Sequence, residues 1–129
     1  MLSGLGVNTY KVIIDEGLNN KYLREYSAMF LGDMMVREAV KPLIKSLRKG
    51  SDLFKMEVAC ALRKIKDEST VDFLISEAED PILTPYIAYS LGWRGNKKAV
   101  PFLRSLLQRK GAIKTNAASA LVEIGESPG

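Results

Sequence analysis

One block of sequence occurs three times without insertion or deletion, and this repetition constrains the fold more than any other feature of the chain. Its clearest copy runs from Ala88 to Leu103 and reads as the end of one helix, a tight turn and the start of a second helix. The block also occurs at 28–43 and at 59–74, and its first half returns at 118–125. Self-similarity at a period of about 30 residues is typical of stacked structural repeats.

Apolar residues recur at helical spacing within each copy. In the first helix of each repeat, apolar or small residues fall at i, i+4, i+5 and i+8, which places them on one stripe. The leucines that end these stripes lie 31, 29 and 30 residues apart, and they are Leu31, Leu62, Leu91 and Leu121. We expect Leu62 and Leu91 to be almost fully buried. No run of alternating β-branched and aromatic residues competes with this helical pattern.

The patterns predict an all-α fold of about eight helices, in three full pairs with a lone helix at each end. The predicted repeat domain spans 9–125. Within it the expected divisions are full repeats at about 21–50, 52–80 and 82–111, a half repeat at 113–125, a flexible lead-in at 1–8 and a tail at 126–129. Ser51 or Asp52 can cap one helix, and Thr84 before Pro85 indicates the start of another.

The residues of 28–43 read Ala-x-x-Leu-Gly followed by Ala-Val-x-Pro-Leu, and those of 88–103 match the same pattern best. This pattern resembles the short HEAT-like repeats first described in phycobilin lyase subunits, over about residues 9–125. The resemblance implies a right-handed α-α superhelix of the kind that mostly holds other molecules. The glycine of the pattern shares a column with Arg63 and Val122, so a positive φ is not required there. Close helix packing is the better account of Gly32 and Gly92.

Composition excludes several classes of function. The chain has no histidine and one cysteine, so no Ser-His or Cys-His pair and no histidine-ligated zinc can form. Cys60 lies in an apolar stretch and is expected in the core. The carboxylates of 67–80 are spread along a helix rather than placed in a calcium loop. We therefore predict no enzyme activity, no metal site and no cofactor.

The expected location is the cytoplasm. The longest apolar runs are too short to cross a membrane, and the first residues lack the pattern of a signal peptide. The single cysteine cannot form an internal disulfide, which fits a reducing compartment.

Charge is distributed in blocks, with a net charge of +6 over 37–66, −6 over 67–80 and +7 over 94–114. Lys41, Lys45 and Arg48 share one helix face by their spacing. If the second helices stand side by side, these cations should flank the acidic row of Asp72 and Glu79 on one surface. Ion pairs between neighbouring repeats are the alternative explanation of the same pattern, and such exposed pairs add little stability.

A second candidate site is the turn of the third pair. It holds Trp93 and Arg94, followed by Lys97 and Lys98. An aromatic residue beside cations can stack a base and hold phosphates, or it can anchor a protein partner. Trp93 can equally serve only to cover the adjoining helices.

The leading hypothesis is a non-enzymatic adaptor that binds a protein through one face of the array. Nucleic-acid binding is the first alternative, because some HEAT-like proteins grip a DNA backbone with cations. An accessory subunit of a bilin lyase type complex is the second, implied by the resemblance alone. At the C-terminal end no following helix should cover Val122 and Ile124. That end is therefore expected to pack on the tail or on a second copy of the chain.

Overall fold

The computed structural model describes residues 7–126, and this part of the chain contains eight α-helices and no strand. The helices are α1 (Val7–Val12), α2 (Arg24–Asp33), α3 (Val40–Ser46), α4 (Asp52–Ile65), α5 (Val71–Glu77), α6 (Thr84–Ser90), α7 (Val100–Leu106) and α8 (Ala112–Ile124). A π-helical turn, Ile13–Gly17, continues α1, and one 3-10 turn precedes each of α3, α5 and α7. The prediction of an all-α fold with eight helices is confirmed. Residues 1–6 of the predicted lead-in and 127–129 of the predicted tail lie outside the described range.

The helices that begin each sequence repeat pack against one another in order. Helix α2 contacts α4, α4 contacts α6, and α6 contacts α8, while α3, α5 and α7 each contact the helix that follows them. The buried apolar side chains form one cluster that extends from Leu18 to Ile124. Leu62 and Leu91 are 4% and 0% exposed within it, which confirms their predicted burial.

Two glycines set how closely neighbouring helices approach. A Cβ on Gly32 would lie 2.6 Å from Ala61 Cα, and a Cβ on Gly92 would lie 2.9 Å from Ala120 Cα. Neither glycine has a positive φ. The prediction that these glycines serve close packing rather than a left-handed turn is therefore confirmed.

Of the two predicted helix starts, one is confirmed and the other is wrong in its chemistry. The Ser51 hydroxyl accepts a hydrogen bond from the Phe54 N–H at 3.2 Å, as an N-cap should. The Thr84 hydroxyl instead donates to the carbonyl oxygens of Ala78 and Asp80. The Ile87 N–H, which a Thr84 cap would serve, already bonds to the Leu83 carbonyl at 2.9 Å and needs no side-chain cap.

A buried lysine of α4 bonds to the turn that joins α3 to α4. Lys55 is 8% exposed, and its ammonium group donates to the carbonyl oxygens of Lys49 and Gly50 at 3.3 and 3.0 Å. Lys49 and Gly50 lie three and four residues beyond the end of α3, so their carbonyl groups have no partner in that helix and Lys55 supplies one.

Val122 and Ile124 were both expected to lie uncovered at the C-terminal end, and this is correct for only one of them. Val122 is 60% exposed as expected, but Ile124 is only 2% exposed. Ile124 follows Leu121 by three residues and Ala117 by seven, so helical geometry places it on the buried stripe with them. The chain then folds back, because the Glu126 N–H donates to the Leu121 carbonyl at 2.8 Å.

Candidate functional site

Lys41 and Lys45 lie together on exposed surface, as predicted. They line a shallow groove of about 330 Å³ between α3 and the chain that follows α1, with Asp15, Asn19 and Lys49 also at its edge. The third member of the predicted row turns away from them. Arg48 reaches towards the next sequence repeat instead of extending the basic surface.

Ion pairs between neighbouring sequence repeats occupy much of the predicted charged face. The Arg48 guanidinium contacts Glu77 and Asp80 at 2.9 Å each. Its hydrogen bond with Glu77 is the main reason why the pKa of Arg48 is raised. Lys98 pairs with Asp72 at 3.4 Å. Among residues 7–126, Glu79 is exposed and has no ion-pair partner.

In the predicted turn site, too, some of the cations are paired with carboxylates. Lys97 binds Glu126 at 2.6 Å, and this contact lowers the pKa of the Glu126 carboxyl. Trp93 is half-buried and packs against the core, while Arg94 is exposed. Trp93 and Arg94 therefore stay together, but Lys97 and Lys98 are each held by an acid elsewhere.

Trp93 and Arg94 line a groove of about 500 Å³ at the C-terminal ends of α4 and α6, bounded by α8. We call it the cationic groove. Its lining residues are Cys60, Arg63, Lys64, Lys66, Tyr89, Gly92, Trp93, Arg94 and Glu123. Across this groove Arg63 of α4 reaches Glu123 of α8, with 3.3 Å between nitrogen and oxygen.

The floor of the cationic groove is polar and aromatic. The Arg63 guanidinium lies 4.8 Å from the centre of the Tyr89 ring, a cation–π contact. The Cys60 thiol lies 3.9 Å from the Tyr89 hydroxyl. Burial, and then the contact with Cys60, raise the pKa of Tyr89, so its hydroxyl stays neutral at physiological pH. Cys60 is only partly buried, contrary to its expected place in the core, because it faces this groove.

Two of the four cations that line the cationic groove form an ion pair with a carboxylate, and the other two do not. Lys64 binds Asp33 of α2 at 2.6 Å, and that hydrogen bond raises the pKa of Lys64. Arg63 forms the ion pair with Glu123 that is described above. Lys66 and Arg94 have no carboxylate within 4.0 Å anywhere in 7–126. The cationic groove is therefore open to a further negative group.

Sequence reasoning missed a row of exposed apolar side chains at or just before the starts of α2, α4 and α6. Tyr22, Leu53 and Ile82 are 74%, 64% and 66% exposed and lie 31 and 29 residues apart. We call them the apolar row. The repeat spacing places them at equivalent positions of successive sequence repeats, so their shared column could have been read from the sequence.

The apolar row and the cationic groove belong to one surface. Leu53 and Cys60 are seven residues apart on α4, which places them on the same face of that helix. The Tyr86 hydroxyl donates to the Asp52 carboxylate at 3.1 Å, which ties the starts of α6 and α4 together. Leu53 of the apolar row and Cys60 of the cationic groove therefore lie on one face of α4.

No protein-family model, curated protein or solved structure matches the chain. Within residues 7–126, no helix is long and apolar enough to cross a membrane. The same residues contain no cluster of three or more acidic or cysteine side chains arranged to hold a metal ion.

Proposed function

We propose that this protein is a non-enzymatic scaffold of HEAT-like repeats, stacked in a right-handed superhelix, that binds a protein partner. The repeated block at a period of about 30 residues supports the repeat assignment. The order of helix contacts, from α2 through α4 and α6 to α8, is the order that such an array requires.

The observation that carries the proposal is the apolar row. Single exposed apolar residues are ordinary, but apolar residues that are exposed together mark protein-binding sites. Tyr22, Leu53 and Ile82 occupy equivalent positions of successive repeats, so stacked helices present them side by side. A partner that covers this row would bury apolar area and gain its main affinity there.

The charged residues on and beside α3, α5 and α7 contribute less to the proposed binding than the apolar row does. Arg48, Asp72 and Lys98 are engaged in ion pairs between repeats. Lys41, Lys45 and Glu79 remain exposed. Exposed charges at the rim of an interface guide association and register more than they add affinity.

The same ion pairs disfavour nucleic-acid binding. A phosphate track along Lys41, Lys45, Lys97 and Lys98 would have to displace carboxylates from the last two lysines. Retention on heparin tests this alternative. A nucleic-acid-binding protein would be retained at physiological salt, and its affinity for duplex DNA would fall with a log–log slope near 0.9 per neutralised phosphate. We expect no such retention.

Site-specific photocrosslinking tests the protein-binding function. A photoreactive phenylalanine analogue is placed at Leu53 or Ile82, and the protein is irradiated in a lysate of its source organism. The matched control places the same analogue at Phe73 on α5, an exposed apolar residue of a second helix. We expect discrete adducts from the first two positions and none from Phe73. Equal labelling at all three positions, or none at Leu53 and Ile82, would remove the proposal.

A further inference from the structure

We propose that the cationic groove binds an acidic segment of the protein partner, and that a carboxylate of this segment replaces Glu123 on Arg63. The inference rests on the proposed scaffold function, because it assigns a chemistry to part of the same face. It concerns a different part of that face from the apolar row, so the two proposals can be tested separately.

The charge of the groove selects an anionic occupant. Its lining contains four cations and one carboxylate, Glu123. With the carboxylates of Asp33 and Glu57 that act on Lys64 included, four positive and three negative groups leave a net charge of +1. The unpaired cations, Lys66 and Arg94, stand on the two helix ends that border the groove. Complementary charge of this kind attracts an acidic chain and sets its register.

The surroundings of Arg63 favour binding of a carboxylate from a partner. The ring of Tyr89 lies under its guanidinium at 4.8 Å, which holds the group at the groove surface. Its present contact with Glu123 is a single one at 3.3 Å, whereas arginine can bind a carboxylate through two parallel hydrogen bonds. The Glu123 side chain is about half exposed, so the present ion pair is weak and can be exchanged.

A peptide fits the groove better than a nucleic acid does. Cys60 in the groove shares a face of α4 with Leu53 of the apolar row, so a bound chain could place carboxylates on the cations and apolar side chains on the row. The carboxylates of Glu123 and Asp33 would repel a phosphate backbone, which carries a negative charge at every nucleotide. A peptide can vary its charge from residue to residue.

The test measures binding of a defined acidic peptide. The probe is a capped ten-residue peptide of glutamate and leucine, with a fluorescein label for anisotropy and an unlabelled form for titration of tryptophan fluorescence. Trp93 is the sole tryptophan of the chain and lines the groove, so its emission reports occupancy there. The comparison ligands are the same peptide with glutamine for glutamate and a ten-nucleotide single-stranded DNA.

We expect saturable binding of the acidic peptide, with at least tenfold weaker binding of its glutamine twin. Arg63→Gln should weaken the acidic peptide about tenfold or more. Arg109→Gln is the matched control, because Arg109 is exposed after α7, outside the groove, and its loss changes the net charge equally. It should change affinity less than twofold. Glu123→Gln removes the competing carboxylate and should tighten binding several-fold. Thermal melts establish that each variant is folded.

Four results would overturn the inference. They are equal binding of the glutamine twin, equal effects of Arg63→Gln and Arg109→Gln, no tightening in Glu123→Gln, and tighter binding of the DNA than of the peptide. If the crosslinks from Leu53 and Ile82 persist while the peptide fails, only the groove assignment falls. If the crosslinks fail while the peptide binds with the expected variant pattern, the proposed function falls and the groove stands on its own as a site for acidic peptides.

Discussion

Replacing Gly32 by alanine isolates the effect of close helix packing. In an unconstrained helix this change would stabilise the protein by roughly 0.5–1 kcal/mol, because glycine loses more backbone freedom on folding. Here the new Cβ would lie 2.6 Å from Ala61 Cα and 2.7 Å from Ala61 Cβ. One of these atoms is backbone, so the helices must separate, and overpacking of this kind costs about 1–3 kcal/mol. With the gain from alanine subtracted, we expect a net loss of about 1 kcal/mol in the free energy of unfolding.

Urea denaturation followed by circular dichroism measures this loss, and a thermal melt should show a midpoint lower by roughly 4 °C. Gly92→Ala should cost less, because its nearest contact with Ala120 is 2.9 Å. Val122→Ala is the matched control in the same column, since Val122 is exposed. It should change the free energy of unfolding by less than about 0.5 kcal/mol. A Gly32→Ala protein as stable as the parent would refute the close-packing account.

Three further predictions concern stability. Leu91→Ala should cost about 2–5 kcal/mol in urea denaturation, because the side chain is fully buried and the cavity cannot close completely; a cost below about 1 kcal/mol would contradict this. The lowered pKa of Glu126, caused chiefly by Lys97, means that the unfolded chain takes up this proton first on acidification. This contribution to stability is therefore present above about pH 4.5 and lost as the pH falls through the lowered pKa. Urea midpoints from about pH 6 to pH 3 should fall less in Glu126→Gln than in the parent, and parallel curves would exclude the effect. Arg48→Gln should leave the urea midpoint almost unchanged, because the ion pair with Glu77 is exposed, and a clear fall of the midpoint in the same assay would assign Arg48 a structural role.

Helix content and burial could be predicted because they depend on residue spacing alone. The columns of Leu62 and Leu91 repeat at nearly constant intervals, and a residue that recurs at one position of a repeated unit meets one environment. The role of Gly32 and Gly92 followed from the same reasoning. Other residues occupy that column in other repeats, which argued against a special backbone conformation.

The remaining details depend on how far side chains reach and on which way a helix faces. Arg63 meets Glu123 across 60 residues of sequence because both side chains reach into the cationic groove, and residue spacing along the chain cannot predict such a contact. Arg48 could have faced solvent or the acids of the next repeat, and the sequence left both open. Ile124 was misplaced because the end of α8 was considered as a terminus, although its spacing from Leu121 already placed it on the buried stripe.

The order of helix contacts also bears on how fast the chain folds. Each of α2, α4 and α6 packs on a helix about one sequence repeat away, and hydrogen bonds such as Tyr86 to Asp52 span only 34 residues. Chains whose contacts are local in sequence close short loops and fold quickly. Growth can begin at any adjacent pair of helices and spread outwards. The contact of Arg63 with Glu123 needs α4, α6 and α8 in place together, so it forms after the contacts between any two of these helices.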